Sequence, residues 1–111
     1  LTLRWETLMQ KLTFNNSNFK RLRAGKSTTI RLGIKSFELA AVNLFNNETQ
    51  ESIAADIIEI RHVRFCRVGL SDAISDGFNC EEDLIQELER CYKQTIDELA
   101  PVTIVRFKVN Y

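Results

Sequence analysis

No stretch of this 111-residue chain approaches the roughly 20 consecutive apolar residues that a membrane helix needs, and no signal peptide is read at its start. Histidine occurs once, at His62, and the cysteines Cys66, Cys80 and Cys91 contain no Cys-x-x-Cys pair. A structural zinc site would have to recruit all four at spacings unlike compact ligand pairs, so no metal is expected. The odd cysteine count argues against a disulfide framework. Free, buried thiols in a reducing cytosol are the expectation, and with them a cytoplasmic location. Net charge is also missing: 15 Lys and Arg face 15 Asp and Glu, so the total carries no pull toward a polyanion. Internal repeats, linkers and low-complexity segments are absent.

What the total conceals is the distribution of charge. From Lys20 to Lys35 every charged residue is a cation, whereas Asp72 to Glu98 is strongly acidic. A basic patch of that kind can attract phosphate without overall basicity. The hydrophobic content of 44% and charged content of 27% are those of an ordinary globular domain, and the length fits one domain with a single core.

The densest stretch of chemistry is Gly25-Lys26-Ser27-Thr28-Thr29-Ile30-Arg31. Its β-branched residues favour extended backbone, and alternation on a strand puts Thr29 and Arg31 on one face. A turn at Gly25 would swing Lys26 over that face, gathering an amine, a hydroxyl and a guanidinium. The plain reading is a solvated strand edge. Gly-Lys-Ser-Thr also imitates the end of a phosphate-binding P-loop, but that motif needs a further glycine where Lys20 stands, with a strand before and a helix after. The order here is helix then strand, which excludes it.

In chain order, residues 1–8 read as an upstream extension, or as an arm docking Trp5 on the core, ahead of a domain from Met9 to Tyr111. Leu12-Thr13-Phe14 begins a strand; Asn15 or Ser17 caps a short helix with Phe19 and Leu22 inward, ended by Gly25. Thr28 to Leu32 is a second strand, and Phe37 to Phe45 a strand or short helix. Asn46-Asn47-Glu48-Thr49 marks a turn. Alternation from Ile58 to Val68 predicts a long, bent or bulged strand. His62 falls among its polar positions and reads as a surface or structural residue. Ser71 caps a helical turn through Ile74, and Asp76-Gly77-Phe78 makes a corner. Asn79 with Glu82 resembles a capping box, opening a helix of about four to five turns on Leu84, Leu88, Cys91, Tyr92, Ile96 and Leu99. Pro101 ends it, and a last strand runs from Val102 to Val109. The order predicts an α+β domain around a small bent or closed sheet.

Together, Leu12-Thr13-Phe14, the Lys-x-x-Thr-x-Arg pattern of Lys26, Thr29 and Arg31, the Asp76-Gly77-Phe78 corner before an acidic helix bearing Tyr92, and the closing strand Ile104 to Val109 resemble an ASCH domain of the PUA-like superfamily. The resemblance implies a small mixed β-barrel with flanking helices and a cleft floored by the basic motif. Within that family the pattern is similar to small bacterial amidohydrolases that deacylate cytidine acetylated on its exocyclic amine. It then implies Lys26 as base, Thr29 as nucleophile and Asp76 as acid, with Arg31, Gly25 and Ser27 binding substrate and no cofactor or metal. Two departures stand out. The family has a residue between its Gly and Lys, whereas Gly25 and Lys26 are adjacent, and its corner acid is usually Glu, so Asp76 is a methylene short. Asp72 is the fallback acid.

The chemistry is coherent in its own terms. A threonine hydroxyl needs a base, a lysine serves if burial or a nearby cation such as Arg31 lowers its pKa, and a carboxylic acid can protonate the leaving amine. Because these roles are chemical, Lys26→Ala and Thr29→Ala are expected to remove activity without unfolding the protein. The other reading is a module that binds a nucleotide or RNA without turnover, through Lys20, Arg21, Arg23, Lys26 and Arg31.

Overall fold

The computed structural model describes residues 10–110. The expected extension at 1–8 and the docking of Trp5 lie outside the described residues. The order is β1 (Gln10–Phe14), α1 (Asn16–Arg23), β2 (Thr28–Leu32), β3 (Ala41–Asn46), β4 (Ser52–Arg64), a 3-10 turn (Phe65–Arg67), α2 (Leu70–Ser75), α3 (Glu81–Tyr92) and β5 (Pro101–Val109).

The strands form one mixed sheet in the order β1-β3-β4-β5-β2. Only β1 and β3 run parallel; the other neighbours are antiparallel. The result is the expected α+β, PUA-like architecture, realised as a half-barrel whose edges β1 and β2 are joined by α1. Apolar side chains divide between two cores. Leu12, Phe14, Val42, Leu44, Val105 and Phe107 receive Phe19 and Leu22 of α1. Ile30, Val102 and Ile104 receive Ala73 of α2 and Leu84 and Leu88 of α3. β5 serves both, which is why Val102 to Val105 are buried without alternation.

Local chemistry explains most boundaries. Asn15, not Ser17, caps α1: its Oδ1 accepts the Asn18 N–H at 2.8 Å. β4 does carry the anticipated bulge, a register shift between Ile57 and Glu59. It stops at Arg64 rather than Val68, because Val68 turns away to join the core under α2 and α3. The cap of α2 is Gly69 rather than Ser71, and the Gly69 N–H donates to the Asp72 carboxylate at 3.1 Å. Cys80 rather than Asn79 precedes α3, without a side-chain cap; Glu81, Glu82 and Asp83 in the first turn complement the helix dipole instead.

The largest departure is the length of α3. It ends at Tyr92, with Lys93 in the left-handed conformation at φ 55°, not near Leu99. Ile96 still reaches the core, but through a turn in which its N–H donates to Glu89 Oε2 at 3.2 Å. Leu99 is exposed, and Pro101 opens β5 instead of ending a helix. The thiols are not buried as expected either: Cys66 and Cys91 are exposed and Cys80 is half-buried. Among the described residues no helix is long and apolar enough to cross a membrane.

Candidate active site

The approach to the site begins at the end of α1. The N–H groups of Ala24 and Lys26 both donate to the Arg21 carbonyl, and Gly25 takes φ +109°, which a side chain would resist. That turn points Lys26 inward, where it is 4% exposed. The next N–H, of Ser27, donates to the Ser75 carbonyl at 2.8 Å and so moors the start of β2 to the end of α2. The residue after Ser75 is Asp76. Its corner requires Gly77, at φ +94°, since a Cβ there would stand 3.2 Å from the Arg21 Cβ.

Asp76 meets Lys26 directly. The Asp76 carboxylate pairs with Lys26 Nζ, which also donates to the Asp76 backbone carbonyl at 2.9 Å. The other carboxylate oxygen accepts the Ile30 N–H at 3.1 Å, so this one side chain ties α2 to β2. Both partners are buried. Burial, together with the charges of Arg31 and Arg21, holds Lys26 well below the ordinary lysine pKa.

Thr29 and Arg31 share a face of β2, as alternation requires, and Arg31 Nε donates to Thr29 Oγ1 at 2.9 Å. Arg31 lies 4.9 Å over the centroid of the Phe14 ring, with Lys26 Nζ 5.7 Å from the same centroid. Lys26, Thr29, Arg31 and Asp76 therefore line one cleft of about 380 Å³, between the sheet and α3. The one-methylene deficit of Asp76 does not keep it from Lys26.

The structure places several of the expected residues differently. Gly25 and Ser27 are not among the cleft-lining residues: Gly25 shapes the turn, and Ser27 acts through its backbone. Asp72, the fallback acid, has its carboxylate engaged by Arg61 and by the Gly69 N–H and does not line the cleft. Nor does Lys26 stand apart from the core, so its removal would strand the buried Asp76 carboxylate. The basic run is also not one open surface. Lys26 is buried, and Arg21 stacks 4.3 Å over the Phe78 ring while donating to the Gly77 carbonyl, which leaves Lys20 and Arg23 exposed. His62 lies on the surface, as one of its two expected readings has it, with its Nε2 3.0 Å from the Lys35 carbonyl oxygen.

The opposite wall was not anticipated. Asn18 of α1 and Glu87, Arg90 and Tyr92 of α3 complete the cleft, with Lys93 at its rim. Burial works to raise the Glu87 pKa, but hydrogen bonds from Arg90, Asn18 and Cys91 outweigh it and hold the carboxyl down at about 2. The Tyr92 hydroxyl accepts the Leu32 N–H at 3.1 Å, pinning α3 to β2. Helical spacing does carry a signal for this wall: Glu87 and Cys91 are four apart beside the Leu84 and Leu88 stripe. Among the described residues no three His, Cys, Asp or Glu side chains cluster as metal ligands would.

No family model and no curated protein matches the chain. Solved structures do. An ASCH domain from Lactobacillus crispatus JV V101 superposes with a TM-score of 0.67 at 14% identity, over 98% of this chain and 86% of that one. A protein from Enterococcus faecalis V583, of the family DUF984, superposes with a TM-score of 0.62 at 11% identity, over 86% of this chain and 68% of that one. At these identities the likeness is one of backbone architecture: the chain has the PUA-like fold of an ASCH domain.

Proposed function

We propose that the protein is an ASCH-family amidohydrolase whose cleft removes the acyl group from cytidine acylated on its exocyclic amine, or from a related nucleoside. The observation that carries this reading is the meeting of Thr29, Arg31 and the buried Lys26–Asp76 pair in a single cleft. Lys26, its pKa lowered, takes the Thr29 hydroxyl proton as Oγ1 attacks the acyl carbonyl carbon. The Arg31 hydrogen bond to Oγ1 favours the developing alkoxide and stands next to the tetrahedral oxyanion. As the C–N bond breaks, Asp76 relays the proton held by Lys26 to the departing amine. Water then attacks the threonyl ester, releasing the carboxylic acid and restoring the hydroxyl. No step calls for a metal or an organic cofactor.

The rival reading is a module that binds RNA or a nucleotide without turnover. Burial of Lys26 and the internal contacts of Arg21 weaken it, because they withdraw two cations from the surface it would need. Incubation with acetylated cytidine, followed by chromatography, separates the two. Release of cytidine by the wild type and its loss in Thr29→Ala supports hydrolysis. An inert wild type leaves binding as the function.

A further inference from the structure

The cleft is charged unevenly. Lys26, Arg31, Arg90 and Lys93 line it against the carboxylates of Asp76 and Glu87. Lys26 is answered by Asp76 at the floor and Arg90 by Glu87 at the wall, so Arg31 and Lys93 remain as an uncompensated pair of charges. Arg31 is engaged at Thr29 in the hydrolytic reading, so Lys93 is the charge for which a neutral nucleoside gives no use.

The rim is also built to hold its cations in place. Arg90 spends Nε and Nη2 on the two Glu87 oxygens, at 2.9 and 2.8 Å, and Nη2 also donates to Cys91 Sγ at 3.9 Å, while Nη1 has no partner among the described residues. The guanidinium is thereby fixed without being used up, its outer edge turned to solvent with the side chain 60% exposed. Lys93 follows three residues later. It occupies the left-handed position that ends α3, at φ 55°, where glycine or asparagine is the usual occupant. A lysine there carries backbone strain, and it reaches the cleft without an acidic partner among the described residues.

We propose that Lys93 and Arg90 form a phosphate-holding rim, so that the cleft takes a phosphate-bearing cytidine in preference to the free nucleoside. The proposal rests on the cytidine reading of the cleft. Arg90 offers its unpartnered Nη1 to the phosphate oxygens and Lys93 supplies a point charge. A terminal monoester and a phosphodiester within an RNA strand present the same binding chemistry to the rim, and the test below separates them.

Calorimetric titration of the full chain with cytidine, its monophosphates and a short single-stranded oligocytidine RNA tests this without requiring turnover. The monophosphates should bind about tenfold more tightly than cytidine, as expected for charge-assisted hydrogen bonds. That preference should shrink as salt rises and collapse in Lys93→Asn and in Arg90→Gln. Asparagine tolerates the left-handed backbone, so Lys93→Asn removes the charge without straining the helix end. Equal affinity for cytidine and its monophosphates, or a preference that survives both substitutions, overturns the phosphate rim and leaves the cytidine reading standing. Failure of every ligand to bind overturns the cytidine reading and the rim with it. RNA binding that exceeds the monophosphates and falls in Lys93→Asn assigns the phosphate to a strand; otherwise it is the monoester.

Discussion

Asp76 holds Lys26 from two directions, with its carboxylate and with its own backbone carbonyl, in a place where neither residue reaches solvent. Removing one partner leaves the other charge buried without compensation, so Asp76→Asn should destabilise the protein by about 3–5 kcal/mol. Lys26→Met combined with Asp76→Asn should lose less than the sum of the single changes, as read from urea denaturation midpoints. Asp76→Glu should lower turnover rather than raise it. The aspartate already spans to both Lys26 and the Ile30 N–H, and one more methylene overpacks the floor by about 1–3 kcal/mol. Faster deacylation by Asp76→Glu would refute this.

The depressed pKa of Lys26 fixes the direction of the pH response. A neutral amine is needed to take the Thr29 proton, so deacylation should rise with pH and level off well below the ordinary lysine pKa of 10.5. Folded Lys26 holds its proton less tightly than unfolded Lys26. Between the depressed pKa and 10.5 the unfolded chain therefore binds more protons, and stability gains with rising pH in that window. Lys26→Met should flatten the stability slope there, which paired denaturation curves across pH would reveal.

Glu87 responds at the acid end. Its folded pKa, about 2 against an ordinary 4.5, means that its contribution is complete above about 4.5 and is lost as pH falls toward 2. Wild type should lose stability across that interval more steeply than Glu87→Gln. Parallel slopes for the two proteins would show that the Arg90 and Asn18 contacts do not favour the ionised form.

Leu88 and Leu99 separate the observed helix from a longer one. Leu88 is 6% exposed and packs in the core with Ile30 and Val102, so Leu88→Ala should cost about 2–5 kcal/mol. Leu99 is 60% exposed beyond the end of α3, and Leu99→Ser should stay within about 0.5 kcal/mol. A large loss for Leu99→Ser in thermal or urea unfolding would restore the longer helix.

Much of the fold could be read from alternation and punctuation, because β1, β3 and the first half of β4 carry residues whose burial follows strand period and because Gly25 and the Asp76-Gly77-Phe78 corner mark tight turns. The end of α3 could not. Ile96 keeps helical spacing with Tyr92 and does pack in the same core, yet it arrives through a turn that Lys93 starts from a conformation lysine seldom adopts. The floor of the cleft was legible for a related reason: Thr29 and Arg31 are two apart on one strand. The meeting of Lys26 with Asp76 spans fifty residues of sequence and depends on the Ser27 to Ser75 backbone bond, which no local pattern encodes. The wall was missed because Asn18, Glu87 and Arg90 look like solvated helix polar residues until α1 and α3 are placed across the cleft from β2.

The position of β5 sets an order of events for a chain emerging from the ribosome. Among the described residues β2 has a single neighbour in the sheet, and that neighbour is β5, whose residues follow β2 by some seventy positions. Until Pro101–Val109 leaves the exit tunnel, Thr29 and Arg31 sit on a segment with no strand to pair with. The cleft is thus assembled only after β5 has been made, and a chain interrupted before β5 would carry every residue of the candidate site without the sheet that aligns them.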